Sequence, residues 1–435
     1  MGERPCGGVT PRPGRGGQQG HYPRTFLRDV PSRSPGPLAL EGTERELRPH
    51  WDAMVRWREA LHRDPELSNH EERTREKVLG ALRSLGIRGT AFGPGFGVVG
   101  VIAPRARGTC VLLRADMDAL PVTEETGAPF ASTNAAMHAC GHDIHMAALL
   151  GAAARLKVVE EELPGPVKLL FQPAEEEGHV GGALPMIRAG VLERAPRVDR
   201  VFGLHVDYLL PLGSFGFCPG PMMAAPDHVE ITVEGRGGHA AYPQAGVDPV
   251  VLASEIILAL QTLISRERAP TDPVVLSITH VSAGSKDNII PDRVWMEGTL
   301  RTFRPETRRR MAERIRARAD GIARSAGGRA RVAVTRGYPP TVNDPAVTTL
   351  LEAAFRRDFP QRVRRMTDPL LGAEDFSYFL EKKPGMFLRL GTSDGAGGSA
   401  NAHSSKFLPD PRALLAGAAS HLLAVRALQA GPGSR

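Results

Sequence analysis

The sequence predicts an α/β protein in two parts, a mostly parallel sheet wrapped by helices and an antiparallel domain inserted into it. Two patterns carry that prediction. Over the first half of the chain short apolar runs alternate with helical stretches, as happens when each helix carries the chain back to start another parallel strand. Near Pro226 the order changes to strand, helix, strand, strand, helix, strand, the ferredoxin-like arrangement of an antiparallel sheet backed by two helices. A chain of 435 residues, 41% of them apolar, can bury two such cores without disulfides.

Residues 1–42 are rich in Gly, Pro and Arg, lack apolar periodicity and read as a disordered tail. Helix begins near Thr43, a candidate N-cap, with Trp51, Met54, Val55 and Leu61 on its apolar face. Strands are expected at Val111 to Arg114, Val167 to Phe171 and Val201 to Leu204, with helices at His145 to Val158 and Gly182 to Ala189 between them. The insertion, 226–337, reads as strand Val229 to Val233, helix Asp248 to Ser265 and strands Val274 to Ser282 and Ile289 to Thr302. Helix Glu306 to Ala326 and strand Ala330 to Thr335 complete it. The first domain, 43–225, resumes over 338–435 and ends in a helix at Pro411 to Leu428.

The net charge of +7 does not imply a nucleic-acid partner. Much of the excess lies in the N-terminal arginines and in Arg308, Arg309 and Arg310, and no aromatic residues are interleaved to stack on bases. No apolar run reads as long enough to span a bilayer, and no signal-peptide stretch opens the chain, so no membrane partner and a cytoplasmic location are expected. Cys6, Cys110, Cys140 and Cys218 show no pairing rhythm, which suits a reducing compartment. Gly95-Phe-Gly-Val-Val-Gly matches a dinucleotide fingerprint as a string, but it leads into a strand-like run rather than a helix.

The chemistry concentrates at the ends of the expected parallel strands. Asp116 and Asp118 follow the first, Glu175, Glu176 and Glu177 the second, and His205 the third. Ligands of open α/β sheets bind beyond the carboxyl ends of strands, so these residues should converge. A fourth group, Met137-His-Ala-Cys140-Gly-His142-Asp, lies in a loop before the alanine-rich helix. Cys140 alone reads as a small buried hydrophobe, and Glu175 to Glu177 alone as a solvated turn. Together, a thiolate, imidazoles and carboxylates at one rim are the donors of a transition-metal site.

These segments resemble the aminoacylase/carboxypeptidase-type di-metal peptidases, and within them the hippurate hydrolase-like N-acyl-amino-acid amidohydrolases. The matching strings include His62-Arg-Asp-Pro-Glu-Leu-Ser, Arg114-Ala-Asp-Met-Asp-Ala-Leu-Pro, Met137-His-Ala-Cys-Gly-His-Asp and Phe171-Gln-Pro-Ala-Glu-Glu. Gly203-Leu-His, Gly237-Gly-His-Ala-Ala-Tyr-Pro, Asn288-Ile-Ile-Pro, Gly298-Thr-Leu-Arg, Gly372-Ala-Glu-Asp-Phe and His403 continue the match in order. The resemblance implies a metallopeptidase catalytic domain with a lid and dimerisation domain, in a homodimer. It implies two divalent ions, manganese, zinc, cobalt or nickel, held by Cys140, His142, Glu176, His205 and His403. Glu175 is then the general base and His239 stabilises the oxyanion from the partner subunit. Asn288 and Arg301 hold the substrate carboxylate, since a guanidinium donates two parallel hydrogen bonds to one. Asp116 and Asp118 orient the ligating imidazoles from behind. The implied reaction is hydrolysis of the amide bond of a small N-acyl amino acid. The alternatives are a dipeptidase or carboxypeptidase, a deacetylase of acylated diamino acids, and a binding protein that kept the fold without the reaction. Glu177 and Gly178-His179-Val180 depart from the usual glycine-rich stretch, with His179 as a bystander, while His70, His138 and His145 are expected to be structural.

Overall fold

The computed structural model describes residues 40–395 and 400–430; the expected N-terminal tail up to residue 39, with Cys6, lies outside the described residues. The first domain opens with helices α1 (Glu44–Leu47), α2 (Trp51–His62) and α3 (Glu72–Ser84). Strands β1 (Gly89–Ala91), β2 (Val98–Ile102) and β3 (Val111–Asp116) follow, then α4 (His142–Val158), β4 (Val167–Gln172), α5 (Ala183–Arg188), β5 (Arg200–Pro211) and β6 (Phe215–Phe217). Beyond them run β7 (Gly220–Met223), β8 (Ala225–Glu234), β9 (Gly238–His239), α6 (Pro249–Thr262), β10 (Val274–Ala283), β11 (Ile289–Ile290) and β12 (Arg293–Thr302). The chain continues through α7 (Pro305–Ser325), β13 (Arg329–Thr335), β14 (Thr341–Asn343), α8 (Pro345–Asp358), β15 (Val363–Arg365), α9 (Ser377–Lys382), β16 (Gly385–Ser393) and α10 (Ala413–Gln429).

The large sheet has the order β1-β2-β4-β3-β5-β16-β6-β15. Its four central strands, β4, β3, β5 and β16, are parallel, and antiparallel pairing begins at β2 on one side and β6 on the other. Every residue of β3 and β4 is buried, as expected of parallel strands covered on both faces. Helices α4 and α10 are likewise buried along almost their whole length. At Gly151 of α4 a Cβ would meet the Met54 sulfur at 2.1 Å, so glycine there lets α2 lie directly on α4.

The second sheet has the order β10-β12-β8-β13, antiparallel throughout, which is the ferredoxin-like arrangement. Alternate residues of β8, Val229, Ile231 and Val233, face a separate core with Leu252, Ile256 and Leu260 of α6 and Met311 and Ile315 of α7. Asp248 caps α6 by accepting from the Val250 and Val251 amides, with Pro249 in the first turn.

Four expectations are corrected. Helix α4 begins three residues early, at His142, because Gly141 takes φ +89 and starts the helix beside Cys140. The strand carrying His205 runs on to Pro211, so His205 is mid-strand. The expected strand Ile289 to Thr302 is two, because Pro291 cannot donate to a ladder: β11 pairs with β9 and β12 joins the main lid sheet. Finally, Pro249–Glu267 is long and apolar enough, by length and composition alone, to cross a membrane. Its buried face is the lid core just described.

Candidate metal centre

The carboxyl ends of β3 and β4, the middle of β5 and the start of α4 bring the chemistry-bearing residues together. Cys140 Sγ lies 3.3 Å from His205 Nε2, and Cys140, His142 and His205 present donor atoms all within 4.8 Å of one another. Cys140, Glu176 and His403 form a second such group, sharing the thiol, and His403 Nε2 is 3.6 Å from Glu176. His403 sits at φ +67 in the loop before α10, its amide donating to the Ala139 carbonyl at 2.8 Å. It is the most open of the five, its side chain 55% exposed.

The ring orientations fit cation binding. His205 gives its Nδ1 hydrogen to the Val206 carbonyl at 2.7 Å, and His142 gives its own to the Asp118 carbonyl at 2.9 Å, leaving both Nε2 atoms as donors to a metal. His142 Nε2 and Glu176 Oε1 are buried without a hydrogen-bond partner, and such orphaned atoms are expected where an ion completes the site. A soft thiolate, imidazoles and a carboxylate suit first-row divalent metals. His145, though close to Asp116 and His142, fits worse as a ligand. Its Nδ1 bonds Asp116 at 2.6 Å and its Nε2 accepts the Val206 amide at 3.0 Å, so both nitrogens are used.

Asp116 thus reaches His145 directly and lies 3.6 Å from His142. Asp118 accepts from Ser68 Oγ at 2.7 Å and from the Glu176 amide at 2.8 Å, and its backbone holds His142. Burial pulls the His142 pKa down, but Asp116, Asp118 and Glu176 outweigh it and lift it to about 10. Burial, then Glu176 and Glu175, hold the Cys140 thiol well above its ordinary value. A negative pocket of this kind favours a divalent cation, which would reverse both shifts by displacing the protons.

Glu175 is buried and stands beside Glu374 and Asp375, all three offering oxygens within 4.8 Å. Burial first, then Glu374, Glu176 and Asp375, push its carboxyl well up, against Arg114. Arg114, fully buried, pairs with Asp116 at 2.6 Å, Asp375 at 2.8 Å and Glu374 at 3.0 Å, and donates to Gln172 at 3.0 Å. The turn that carries Glu175 hangs on side chains: the Ala174 amide on Glu71 at 2.7 Å, the Glu176 amide on Asp118, the Gly178 amide on Tyr338 at 2.8 Å and the Ala183 amide on Asp375 at 2.9 Å. Glu177 accepts from the His179, Val180 and Gly181 amides, so it closes the divergent loop on itself, with His179 exposed.

His239 and Asn288 are neighbours, since the Ala240 amide donates to the Asn288 carbonyl at 3.1 Å, and both are exposed. Arg301 is half-buried on β12, and its guanidinium donates no hydrogen bond among the described residues. None of the three makes a hydrogen bond, ion pair or ring contact with the metal-site residues.

Sequence reasoning gave no role to Arg114, Glu374, Asp375, Glu71 or Tyr338. Gly372-Ala-Glu-Asp-Phe stood out as a string, but only the fold places its carboxylates on Arg114 and beside Glu175.

A doubly wound sheet with an inserted ferredoxin-like lid and a thiol–imidazole–carboxylate cluster where β3, β4, β5 and the start of α4 meet defines a metal-dependent hydrolase. The chain belongs to peptidase family M20/M25/M40, whose sequence pattern matches residues 112–427. It is 40% identical over 392 residues to thermostable carboxypeptidase 2 of Saccharolobus solfataricus, covering 89% of this chain and 98% of that one. It is 38% identical over 401 residues to N-acetyl-L-cysteine deacetylase of Bacillus subtilis, covering 91% and 92%. Among solved structures it resembles the Bacillus subtilis YXEP protein, a dinuclear metal binding peptidase, with a TM-score of 0.77 and 35% identity over 88% of this chain and 99% of that one.

Proposed function

We propose that this enzyme hydrolyses the amide bond of small N-acyl amino acids, hippurate-like in form, releasing a carboxylic acid and a free amino acid. The observation that carries the reading is a buried carboxyl, Glu175, set next to a donor cluster whose open atoms are the right ones for metal. Cys140 would bridge two divalent ions, with His142 and His205 on one and Glu176 and His403 on the other. Bound there, the ions would supply Lewis acidity to the amide carbonyl and lower the pKa of a water. Glu175 takes the proton of the attacking water and delivers it to the leaving nitrogen. Its burial and the neighbouring charges of Glu374 and Asp375, partly offset by Arg114, favour the proton-holding form that a base needs between the two transfers.

Arg301, with unused donors, and Asn288 would bind the substrate carboxylate. His239 Nδ1 accepts the Ala241 amide at 3.1 Å, so its hydrogen sits on Nε2, ready to donate to an oxyanion. That it makes no hydrogen bond or ring contact with the chain's own cluster favours action across a homodimer. Support for that dimer comes from α6, where Val251 is 53% and Leu258 71% exposed, and from Val281, 49% exposed on the edge strand β10. The buried free thiols of Cys110 and Cys218 accord with a cytoplasmic setting. The similarity to a carboxypeptidase supports a second reading, cleavage of short peptides at the same carboxylate-anchored site.

The test is hydrolysis of a panel of N-acetyl, N-benzoyl and dipeptide substrates by metal-stripped protein, restored in turn with manganese, zinc, cobalt and nickel. Metal-dependent release of amino acid from the N-acyl series is the expected outcome. Release from dipeptides alone favours the second reading, and no release from any pair refutes both.

A further inference from the structure

We propose that Tyr338 is a positioning residue for Glu175, and that through it the setting of the inserted domain reaches the turn that carries the base. The proposal rests on the reading of Glu175 as general base. The Tyr338 hydroxyl donates to the Glu175 carbonyl at 2.8 Å and accepts the Gly178 amide at 2.8 Å, so one oxygen clamps both ends of that turn. The ring is 2% exposed and lies against Gly181, where a Cβ would meet its Cε1 at 3.0 Å. It therefore has no room to move without moving the turn.

The preceding residue, Gly337, is fixed to the inserted domain. Arg308 of α7 donates to its carbonyl at 2.9 Å, and its amide donates to Asp227 of β8 at 3.3 Å. Arg308 and Asp227 are themselves an ion pair at 2.5 Å. At Gly337 a Cβ would strike the Pro226 carbonyl oxygen at 2.1 Å, so the chain passes too close to β8 for any side chain. Adjacent residues thus belong to different bodies, one pinned to the lid and the next to the base turn.

Arg301 stands beside this pin, paired in register with Pro226 and facing the charge of Asp227. A substrate carboxylate arriving at Arg301 enters the field of the residue that fixes Gly337. Any lid movement that repacks Asp227 and Arg308 shifts Gly337, and Tyr338 passes the shift to Glu175. Coupling of this kind needs a contiguous packed path, and this one is two residues long.

The experiment uses metal-loaded enzyme and compares Tyr338→Phe, Asp227→Asn, the double variant and Glu175→Gln, with bound metal and thermal melting measured for each. Tyr338→Phe removes one oxygen and keeps the ring. It should lower kcat by about tenfold while KM and metal content hold within about twofold, since a base displaced by a fraction of an ångström loses rate rather than affinity. Asp227→Asn should lower kcat in the same way, and the double variant should be no slower than the slower single, the signature of one shared path. A Tyr338→Phe enzyme with parental kcat overturns the proposal, and single losses that multiply overturn the coupling. If Tyr338→Phe does not fold, Asp227→Asn decides alone, and an unchanged kcat there refutes the link to the lid. A Glu175→Gln enzyme that still turns over would instead sink the assignment of the base, whatever Tyr338 does.

Discussion

Single residues at this site do separable jobs, and substitution should separate them. Glu175→Gln is expected to keep both metals and lose turnover by about 10²–10⁴-fold, because the base goes while the donors stay; kcat and elemental analysis check this together. Cys140→Ala should lose metal as well as activity, and normal metal content there would remove the thiolate from the bridge. Glu71 offers a test by pH. Burial first, then Asp118, lift its carboxyl to about 7, so between its ordinary value and about 7 the folded state holds a proton that the unfolded state has released. Stability from this group is therefore full below about 4.5 and is lost as pH rises through about 7, an effect on the order of 3 kcal/mol at most. Glu71→Gln does not titrate, so its melting temperature should gain on the parent between pH 5 and pH 8. A constant difference across that range would show that Glu71 is not the buried acid. The candidate donors were legible as residue types, Glu176 beyond a strand end and Cys140 and His142 in one loop, though His205 proved to lie within its strand. The charges behind them were not, because Arg114 finds Glu374 and Asp375 only when distant segments fold together.

At the scale of elements, the reading succeeded where a segment buries one regular face and failed where special backbone intervenes. The alternation of β8 and the apolar runs of β3 and β4 reveal those strands from the order of residues alone. The edge strands β1 and β15 and the adjoining β6, three residues each, carry too few residues to show a period. Gly141 is the most consequential of the special positions. Its φ of +89 lets α4 start at His142, and a Cβ would meet Val206 Cγ2 at 2.6 Å. Gly141→Ala should therefore both strain the backbone, by about 1–3 kcal/mol, and push Cys140 and His142 away from β5. The expected result is a lower melting temperature together with weaker metal retention, measured by chelator competition. Loss of stability alone would mean that the helix start does not set the ligands.

At the scale of the whole molecule, the two-part architecture was readable because each domain has its own period and its own core. How the lid serves the site was not, since His239, Asn288 and Arg301 do not touch the metal cluster of their own chain. Mixing His239→Ala enzyme with Glu175→Gln enzyme in equal amounts under subunit exchange should restore about a quarter of the parental activity if His239 acts in trans, because half the dimers are mixed and each has one complete site. No recovery in verified mixed dimers would place His239 in cis. Leu258→Glu, on the exposed face of α6, should shift the species seen by light scattering to monomer and reduce turnover with it. One further consequence follows from the lid's two connections. Strands β8 and β13 are direct neighbours, with Thr335 opposite His228, so the chain leaves and returns within a single strand spacing. For the host sheet the whole insertion is topologically a hairpin turn. While the lid is folded, its own β8–β13 pairing holds the two ends of that turn together, so the host chain enters and leaves the insertion at one point.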